Sequence, residues 1–422
     1  MNVLSRFYYQ YRRVIKAVQL YLIIAGPGLI VMIADNDAGG ITTYAATGAA
    51  YGYALIWFLV LLGPVAYFVQ EMTVRLGAVT KHGHAEAIFE AFGPFWGWFS
   101  LIDLSLVNWL TLITEFIGMT AALTIFNIPP AITVLIVIGI MMFMILQGRY
   151  WTWEKLAMFF CLLNLVYIPA AFMVHPSVGS ILQNGIIPNF PGGINGTLIF
   201  FLMANIGTTI APWMIFFQQS AVVDKGMGKK DIPWGKMDTV FGAVFTVVVA
   251  IFIVIVTATV LHGMNIESAG QAAQVIMGTY PYVGTLLAIG LFDAGLLGAI
   301  CISLASSWAF GEVFGWAHSL NNKIREAPWF YAYYFFALIT AGLVVLIPGA
   351  PLVLITLFVQ VIAVTLLPAA LVFLILLLNN AEIMGEYKNT LLQNIVSTAI
   401  VIAIIVLSTA YAISVLFPGV FA

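Results

Sequence analysis

The sequence predicts an all-α polytopic membrane protein with eleven transmembrane helices, and three observations carry that prediction. Of 422 residues, 63% are hydrophobic and only 8% charged, whereas about a quarter of the residues in a soluble globular domain are charged. Eleven apolar segments are long enough to cross about 30 Å of hydrocarbon. The basic residues fall only in alternate connections between those segments, as expected when one face of the bundle is cytoplasmic.

The spans are read at about 20–48, 52–76, 95–125, 129–148, 154–175, 195–222, 238–263, 283–316, 329–348, 350–379 and 391–417. Arg6, Arg12, Arg13 and Lys16 precede span 1, Arg75 and Lys81 lie between spans 2 and 3, and Arg149 and Lys155 between 4 and 5. Lys225, Lys229, Lys230 and Lys236 follow span 6, Lys323 and Arg325 follow span 8, and Lys388 follows span 10. All 15 Lys and Arg residues are then on one side. An error of one span would mix the two sides, so the pattern places the N-terminus in the cytoplasm and the C-terminus outside or in the periplasm. Residues 1–19 are expected to be a cytoplasmic N-terminal segment, basic and aromatic rather than signal-like. Residues 20–380 form the core of helices 1–10, in repeats of about 20–175 and 195–380, and 381–422 form a loop and the eleventh helix. Cys161 and Cys301 lie inside apolar runs and supply no disulfide framework.

Two spans carry helix-breaking and polar residues at mid-depth. Span 1 contains Ile33-Ala34-Asp35-Asn36-Asp37-Ala38-Gly39-Gly40. An ionisable group within a bilayer costs about 2.5 kcal/mol or more, so such groups usually mark a binding site or an ion path. Glycines there let the backbone leave the helix and offer its own polar groups. Span 6 contains Ala204-Asn205-Ile206-Gly207-Thr208-Thr209-Ile210-Ala211-Pro212-Trp213. Pro212 removes a backbone donor and Gly207 weakens the preceding turn. Pro212 alone fits a simple kink in a packed helix equally well. Two interrupted helices five spans apart instead mark a five-plus-five inverted repeat with its substrate bound between the breaks.

These segments resemble a known family. Gly26-Pro27-Gly28 through Asp37-Ala38-Gly39-Gly40 resembles the first helix of the NRAMP divalent-metal transporters, whose motif is Asp-Pro-Gly-Asn. Gly207-Thr208-Thr209-Ile210-Ala211-Pro212-Trp213 sits where the family has Met-Pro-His after Gly-Ala-Thr-Val, so Ala211 replaces the Met and Trp213 the His. Thr111-Leu112-Ile113-Thr114-Glu115-Phe116-Ile117-Gly118 resembles the family's Thr-Asp-Leu-Ala-Glu-Val-Ile-Gly, keeping the Glu and losing the Asp at Leu112. Gln360, eight residues before Pro368, and Ile383-Met384-Gly385-Glu386 are also in register. The departures resemble those of the NRAMP-related magnesium transporters, a divergent branch. That resemblance implies a LeuT-like core of ten helices with helices 1 and 6 broken, one extra C-terminal helix, and Mg2+, together with Mn2+, as substrate.

The chemistry of the substitutions runs the same way. A thioether favours softer transition ions, whereas Mg2+ prefers oxygen and sheds water reluctantly. Losing the Met at Ala211 removes a discriminator against Mg2+, and Gly40 and Ala211 are expected to leave room for a partly hydrated ion. Asp37 supplies the charge and the carbonyls of Ala34 and Thr208 face the ion, directly or through water. Asp35 adds charge to the pocket or its mouth, caps the resuming helix, or partners a polar group elsewhere in the bundle. Asn36, Asn205 and Thr209 are expected to support the site, Gln360 to join it on closing, and Asp293 to line a vestibule.

Proton relays through membranes need acidic or His chains. His82, His84, His175, His262 and His318 all fall at span ends or in loops. With Leu112 and Trp213 at the two family positions, Glu115 is left either to carry protons or to pair within the bundle. Uncoupled transport is therefore expected: a divalent cation gains about 4.6 kcal/mol per 100 mV of inside-negative potential. The alternatives are a proton-coupled Mn2+ and Fe2+ importer, with Met32, Met203 or Met214 replacing the lost thioether, an amino-acid or organic-cation transporter, and a non-transporting scaffold. Asp35 and Asp37 argue against an anionic ligand. No nucleophile–base, HExxH or phosphate-loop pattern marks an enzyme. No cofactor is expected beyond the metal as cargo, and the expected partners are the ion and the lipid bilayer, with neither nucleic acid nor an obligate protein partner. A prokaryotic plasma (inner) membrane is the expected location.

Overall fold

The computed structural model describes residues 26–417. The N-terminal segment 1–19, its four basic residues, the first residues of span 1 and residues 418–422 lie outside the described residues. Among the described residues the protein is all-helical, 82% helix with no strand. Helices suit a bilayer, because backbone polar groups there must be satisfied within the protein.

Span 1 consists of α1 (Pro27–Ala34) and α2 (Ala38–Tyr51). Span 2 is α3 (Ile56–Thr80), followed by the connecting α4 (His84–Phe92), span 3 as α5 (Pro94–Thr124) and span 4 as α6 (Pro130–Ile145). Span 5 divides into α7 (Tyr150–Leu163) and α8 (Tyr167–Met173) at a tight turn over Asn164–Val166. The connecting α9 (Val178–Ile186) leads to span 6, divided into α10 (Gly196–Thr209) and α11 (Pro212–Asp224). Span 7 is α12 (Ile232–Leu261), and α13 (Ala269–Thr279) connects it to span 8, α14 (Pro281–Phe314). Spans 9 and 10 are α15 (Pro328–Val345) and α16 (Leu352–Asn379); the short α17 (Ala381–Met384) precedes span 11, α18 (Leu391–Leu416). Among the described residues nine helical runs are long and apolar enough to cross a membrane by themselves. The shorter α6 and the divided span 1 are the two remaining segments read from the sequence.

Burial sorts the spans. In span 6, 83% of the most apolar window is buried, and in span 8, 78%, against 17% in span 11. The breaks therefore sit at the centre of the bundle and the eleventh helix at its rim. Exposed Leu135, Phe143, Leu162, Phe172, Phe336 and Leu391 give the outside an apolar coat suited to lipid.

The basic connections meet on one face. Arg75 donates to both carboxylate oxygens of Glu71 at 3.1 Å, to the Tyr387 carbonyl at 3.0 Å and to Asn389 at 2.8 Å, while Lys236 pairs with Glu71 at 2.8 Å. Lys81 donates to the Met227 carbonyl, and Asn321 accepts from the Tyr150 N–H at 3.2 Å. These contacts join the connections after spans 2, 4, 6, 8 and 10, the alternation that the Lys and Arg pattern anticipates. On the other face the Gly263 N–H donates to the Ala49 carbonyl at 2.9 Å, joining the ends of spans 1 and 7.

Candidate metal centre

Both breaks are local consequences of sequence. In span 1, helical geometry stops after Ala34 and resumes at Ala38, with Asp37 in extended conformation as the N-cap of α2. Its Oδ1 accepts from the Gly40 N–H at 2.6 Å, and its carbonyl accepts from the Ile41 N–H at 2.9 Å. In span 6, Ile210 leaves helical geometry, Ala211 is extended, and Pro212, which has no N–H to satisfy, opens α11.

A helix end leaves four carbonyls without an intrahelical donor. At the end of α1, the Val31 carbonyl accepts from the Asp35 N–H at 3.2 Å and the Ile33 carbonyl from the Asn36 N–H at 3.1 Å, while Met32 accepts from the Thr246 hydroxyl. The Ala34 carbonyl alone of the four has no donor among the described residues. At the end of α10, the Ile206 carbonyl accepts from the Ile210 N–H at 2.9 Å. The carbonyls of Gly207, Thr208 and Thr209 have no donor among the described residues, because the Ala211 N–H is turned to the Met214 sulfur at 3.4 Å. The two carbonyls singled out in the sequence, Ala34 and Thr208, are thus both free for a ligand.

Two carboxyls meet at the N-terminus of α2, where the partial positive charge of the helix favours them. Glu115 Oε2 accepts from the Ala38 N–H at 2.9 Å, which brings its carboxyl to the same helix end as Asp37. Glycines permit this approach: a Cβ on Gly298 would lie 2.9 Å from the Asp37 Cβ and 3.0 Å from Glu115 Oε2. Glu115 therefore lies beside the proposed ligand, bonded to the backbone at the start of α2.

The structure brings most of the sequence-derived residues together. Gly39 and Gly207 pack against Gln360, so a Cβ on Gly39 would overlap the Gln360 amide. Thr208 and Thr209 donate to the Asn205 carbonyl at 3.1 and 2.8 Å, and Asn205 donates to Thr47 at 2.9 Å, tying α10 to α2. Asn36 turns away to donate to the Thr246 carbonyl at 3.2 Å. Leu112 and Trp213 are buried, and Trp213 packs edge-on against Phe217. Asp293 is not at the breaks: its Oδ2 accepts from Asn164 at 2.8 Å, on the side of span 8 facing span 5.

Two expectations are corrected. Asp35 does not cap the resuming helix; Asp37 does, because it immediately precedes α2 and its carboxylate reaches the Gly40 N–H. The room anticipated at Gly40 is also absent, since a Cβ there would lie 3.1 Å from the Asp35 carbonyl oxygen and 3.3 Å from Asp37 Oδ1. Asp35 Oδ2, Asn36 Oδ1, Asn205 Oδ1 and Gln360 Nε2 are buried without a hydrogen-bond partner. Native structures leave few such groups, and polar atoms of this kind around a break suit an ion or its water.

Several supporting residues were not singled out in the sequence. Asp238 accepts from the N–H groups of Gly26 and Gly28 at 3.0 and 2.7 Å and so caps α1, and Thr246 caps its other end. Span 7 thereby holds α1 at both termini; an acidic residue opening an apolar span was the available signal. The Tyr44 hydroxyl meets that of Thr209 at 3.3 Å. Its place two helical turns after Asp37 puts it on the same face of α2.

Asp35, Asp37, Glu115, Thr208, Ala211 and Gln360 are each at most 5% exposed, so the centre is closed from both faces. The carboxyl and carbonyl oxygens between the two helix breaks are chemically suited to a hard cation and unsuited to an anion.

The chain resembles known proteins in sequence and in fold. The chain is 25% identical over 422 residues to a protein of Yersinia pestis named divalent metal cation transporter MntH, with 96% of this chain and 98% of the relative covered. Its fold matches a crystal structure of the Eremococcus coleocola manganese transporter at a TM-score of 0.77 and 20% identity, covering 95% of this chain and 89% of the other. It also matches MhsT in complex with L-phenylalanine, a LeuT-fold protein, at a TM-score of 0.60 and 13% identity, covering 92% of this chain and 98% of the other. The model of the natural resistance-associated macrophage protein-like family matches residues 28–414, and with that match the chain belongs to the Nramp family.

Proposed function

We propose that this protein is a secondary transporter that carries Mg2+, and also Mn2+, as a partly hydrated ion and without proton coupling. The relatives' names, divalent metal cation transporter and manganese transporter, support the class of cargo. The observation that carries the reading toward Mg2+ is the donor set: Asp37 and the open carbonyls of Ala34 and Thr208 are oxygens, and Ala211 stands where a thioether would select softer ions. Met214 does bring a sulfur to the span 6 break, but that sulfur accepts the Ala211 N–H. Met32 is turned to span 7, where its side chain packs on Gly242.

In this reading the Lys- and Arg-rich face is cytoplasmic, and the closed centre opens to each face in turn as the two repeats move against one another. Asp37 neutralises part of the ion's charge while its Oδ1 stays on the Gly40 N–H, so the same carboxylate holds α2 in place and binds cargo. Metal entry is driven by the membrane potential acting on two charges.

A second reading, a proton-coupled Mn2+ importer, is favoured by the place of the Glu115 carboxyl beside Asp37, both at the start of α2, where a buried acid could exchange a proton as a cation arrives. Against it, Leu112 and Trp213 offer no acid–base group onward from Glu115 in spans 3 and 6. Proteoliposomes reporting Mg2+ and internal pH together decide the matter. Uncoupled Mg2+ transport requires influx without metal-driven acidification. Acidification that tracks Mg2+ entry refutes the uncoupled reading, and strong Mn2+ influx without Mg2+ influx refutes the magnesium assignment.

A further inference from the structure

On the Lys- and Arg-rich face, the connections after spans 4 and 8 enclose a cavity of about 710 Å³. Arg149, Lys323 and Arg325 line it, and no Asp or Glu does. The Tyr150 N–H bond to Asn321 holds the two connections together, and a Cβ on Gly148 would lie 3.9 Å from the Lys323 stem. Among the described residues none of the three cationic side chains has an ion pair or a side-chain hydrogen bond. The acids nearest in sequence are already engaged: Glu326 accepts from the Lys323 N–H at 2.7 Å, and Glu154 pairs with Lys225 at 2.7 Å. Three like charges converge here from sequence-distant loops, whereas a general bias toward basic connections only spreads such charges over a face.

A second observation has the same sign. The 14-residue helix α7 opens at this cavity, with Arg149 as its N-cap residue and Thr152 of its first turn in the lining. Asn321 accepts the Tyr150 N–H, but the Trp151 N–H has no acceptor among the described residues. An open helix N-terminus attracts an anion.

The rest of the lining narrows the kind of anion. Exposed Leu146 and Ile324 stand in the same cavity as the three cations. Exposed Trp151 and Trp329 flank it in the first turns of spans 5 and 9, as aromatic residues do where hydrocarbon meets water. A phosphate that carries acyl chains satisfies both the charges and the apolar rim; a soluble anion satisfies only the charges.

We propose that this cavity binds an anionic phospholipid, with Arg149, Lys323 and Arg325 on the headgroup phosphate and the acyl chains leaving over Leu146 and Ile324. The planar guanidinium groups suit two phosphate oxygens at once. A bound headgroup joins the start of span 5 to the connection after span 8. Because Glu154, one turn further along α7, pairs with Lys225 just after α11, the lipid also steadies an element that reaches the broken span 6.

The test is native mass spectrometry of the full chain in neutral detergent, with phosphatidylglycerol as the probe and phosphatidylcholine as the zwitterionic comparison. One phosphatidylglycerol should be retained per chain at concentrations where phosphatidylcholine is not. Replacing Arg149, Lys323 and Arg325 together by Gln should weaken that binding about a hundredfold, at about fivefold per basic residue. Arg325→Gln alone should weaken it about fivefold and guards against a folding defect in the triple variant. Lys229→Gln with Lys230→Gln removes two exposed charges from the same face outside the cavity and should leave binding within twofold. Equal weakening by this control, which diffuse attraction to the basic face would produce, overturns the proposal, as does unchanged binding in the triple variant. Displacement of the lipid by millimolar inorganic phosphate also overturns it, by assigning the cavity to a soluble anion. No metal is present in these measurements, so their outcome is independent of the transport reading.

Discussion

Replacing Asp37 by Asn separates the two roles the structure gives this side chain. Its Oδ1 caps α2 through the Gly40 N–H at 2.6 Å, and Asn caps a helix about as well as Asp. The fold of the break should therefore survive while the charge is lost. The electrostatic cost follows from geometry. A dication and a carboxylate about 4 Å apart, as across one shared water, attract by about 2 kcal/mol at the dielectric constant of bulk water and by about 8 kcal/mol at an effective constant of about 20. Asp37 is 3% exposed, so desolvation of the carboxylate offsets part of the larger figure. The smaller one sets a lower bound of about 30-fold on the loss of metal affinity. The assay is initial Mg2+ uptake into proteoliposomes across a range of Mg2+ concentrations, at matched protein incorporation and equal thermal stability. Uptake within threefold of the unsubstituted protein would mean that the Asp37 charge does not bind the cargo, and the assignment of the centre would fall with it.

Ala211→Met places a thioether at the span 6 break, and Cd2+ should then inhibit uptake at least tenfold more strongly; unchanged Cd2+ sensitivity would show that residue 211 does not face the ion. Glu115→Gln keeps an acceptor for the Ala38 N–H, so under uncoupled transport Mg2+ uptake should persist with an unaltered pH profile, measured from external pH 6 to 8. A stability prediction concerns His84, outside the spans, which is buried against Phe216 and bonded to Gln219 at 2.9 Å. Burial lowers its pKa from 6.5 to about 4, with the Gln219 contact partly opposing the shift. Between those values the unfolded chain takes up a proton that the folded chain does not. The stabilisation is fully present above about pH 6.5 and is lost as pH falls toward 4, by about 3 kcal/mol in all. Thermal unfolding in detergent should show a midpoint falling from pH 7 to pH 5 and a flatter dependence in His84→Gln; equal slopes would refute the assignment.

Much of this protein was legible in its sequence because a bilayer permits so few structures. Apolar length alone located the spans, and the charge alternation ordered them, since Lys and Arg are costly to bury and the contacts of Arg75, Lys81 and Lys236 do join the alternate connections on one face. The two breaks were also visible, because Pro212 and the Asp37-to-Gly40 segment are local backbone chemistry. What a linear sequence does not contain is which distant groups share a terminus. That Asp37 rather than Asp35 caps α2, that Glu115 stands beside it and Asp293 does not, and that Asp238 and Thr246 hold both ends of α1 depended on how spans 3, 7 and 8 pack. The space expected from the small residue at Gly40 failed for the same reason: a missing side chain removes atoms, but neighbouring backbone decides whether the space stays open. Sequence determined the spans, the breaks and the oxygen-rich donor types, which follow from solvation and backbone covalency. Only the tertiary structure decided which of those oxygens remain without a donor, because hydrogen-bond satisfaction is settled by the whole set of packed helices.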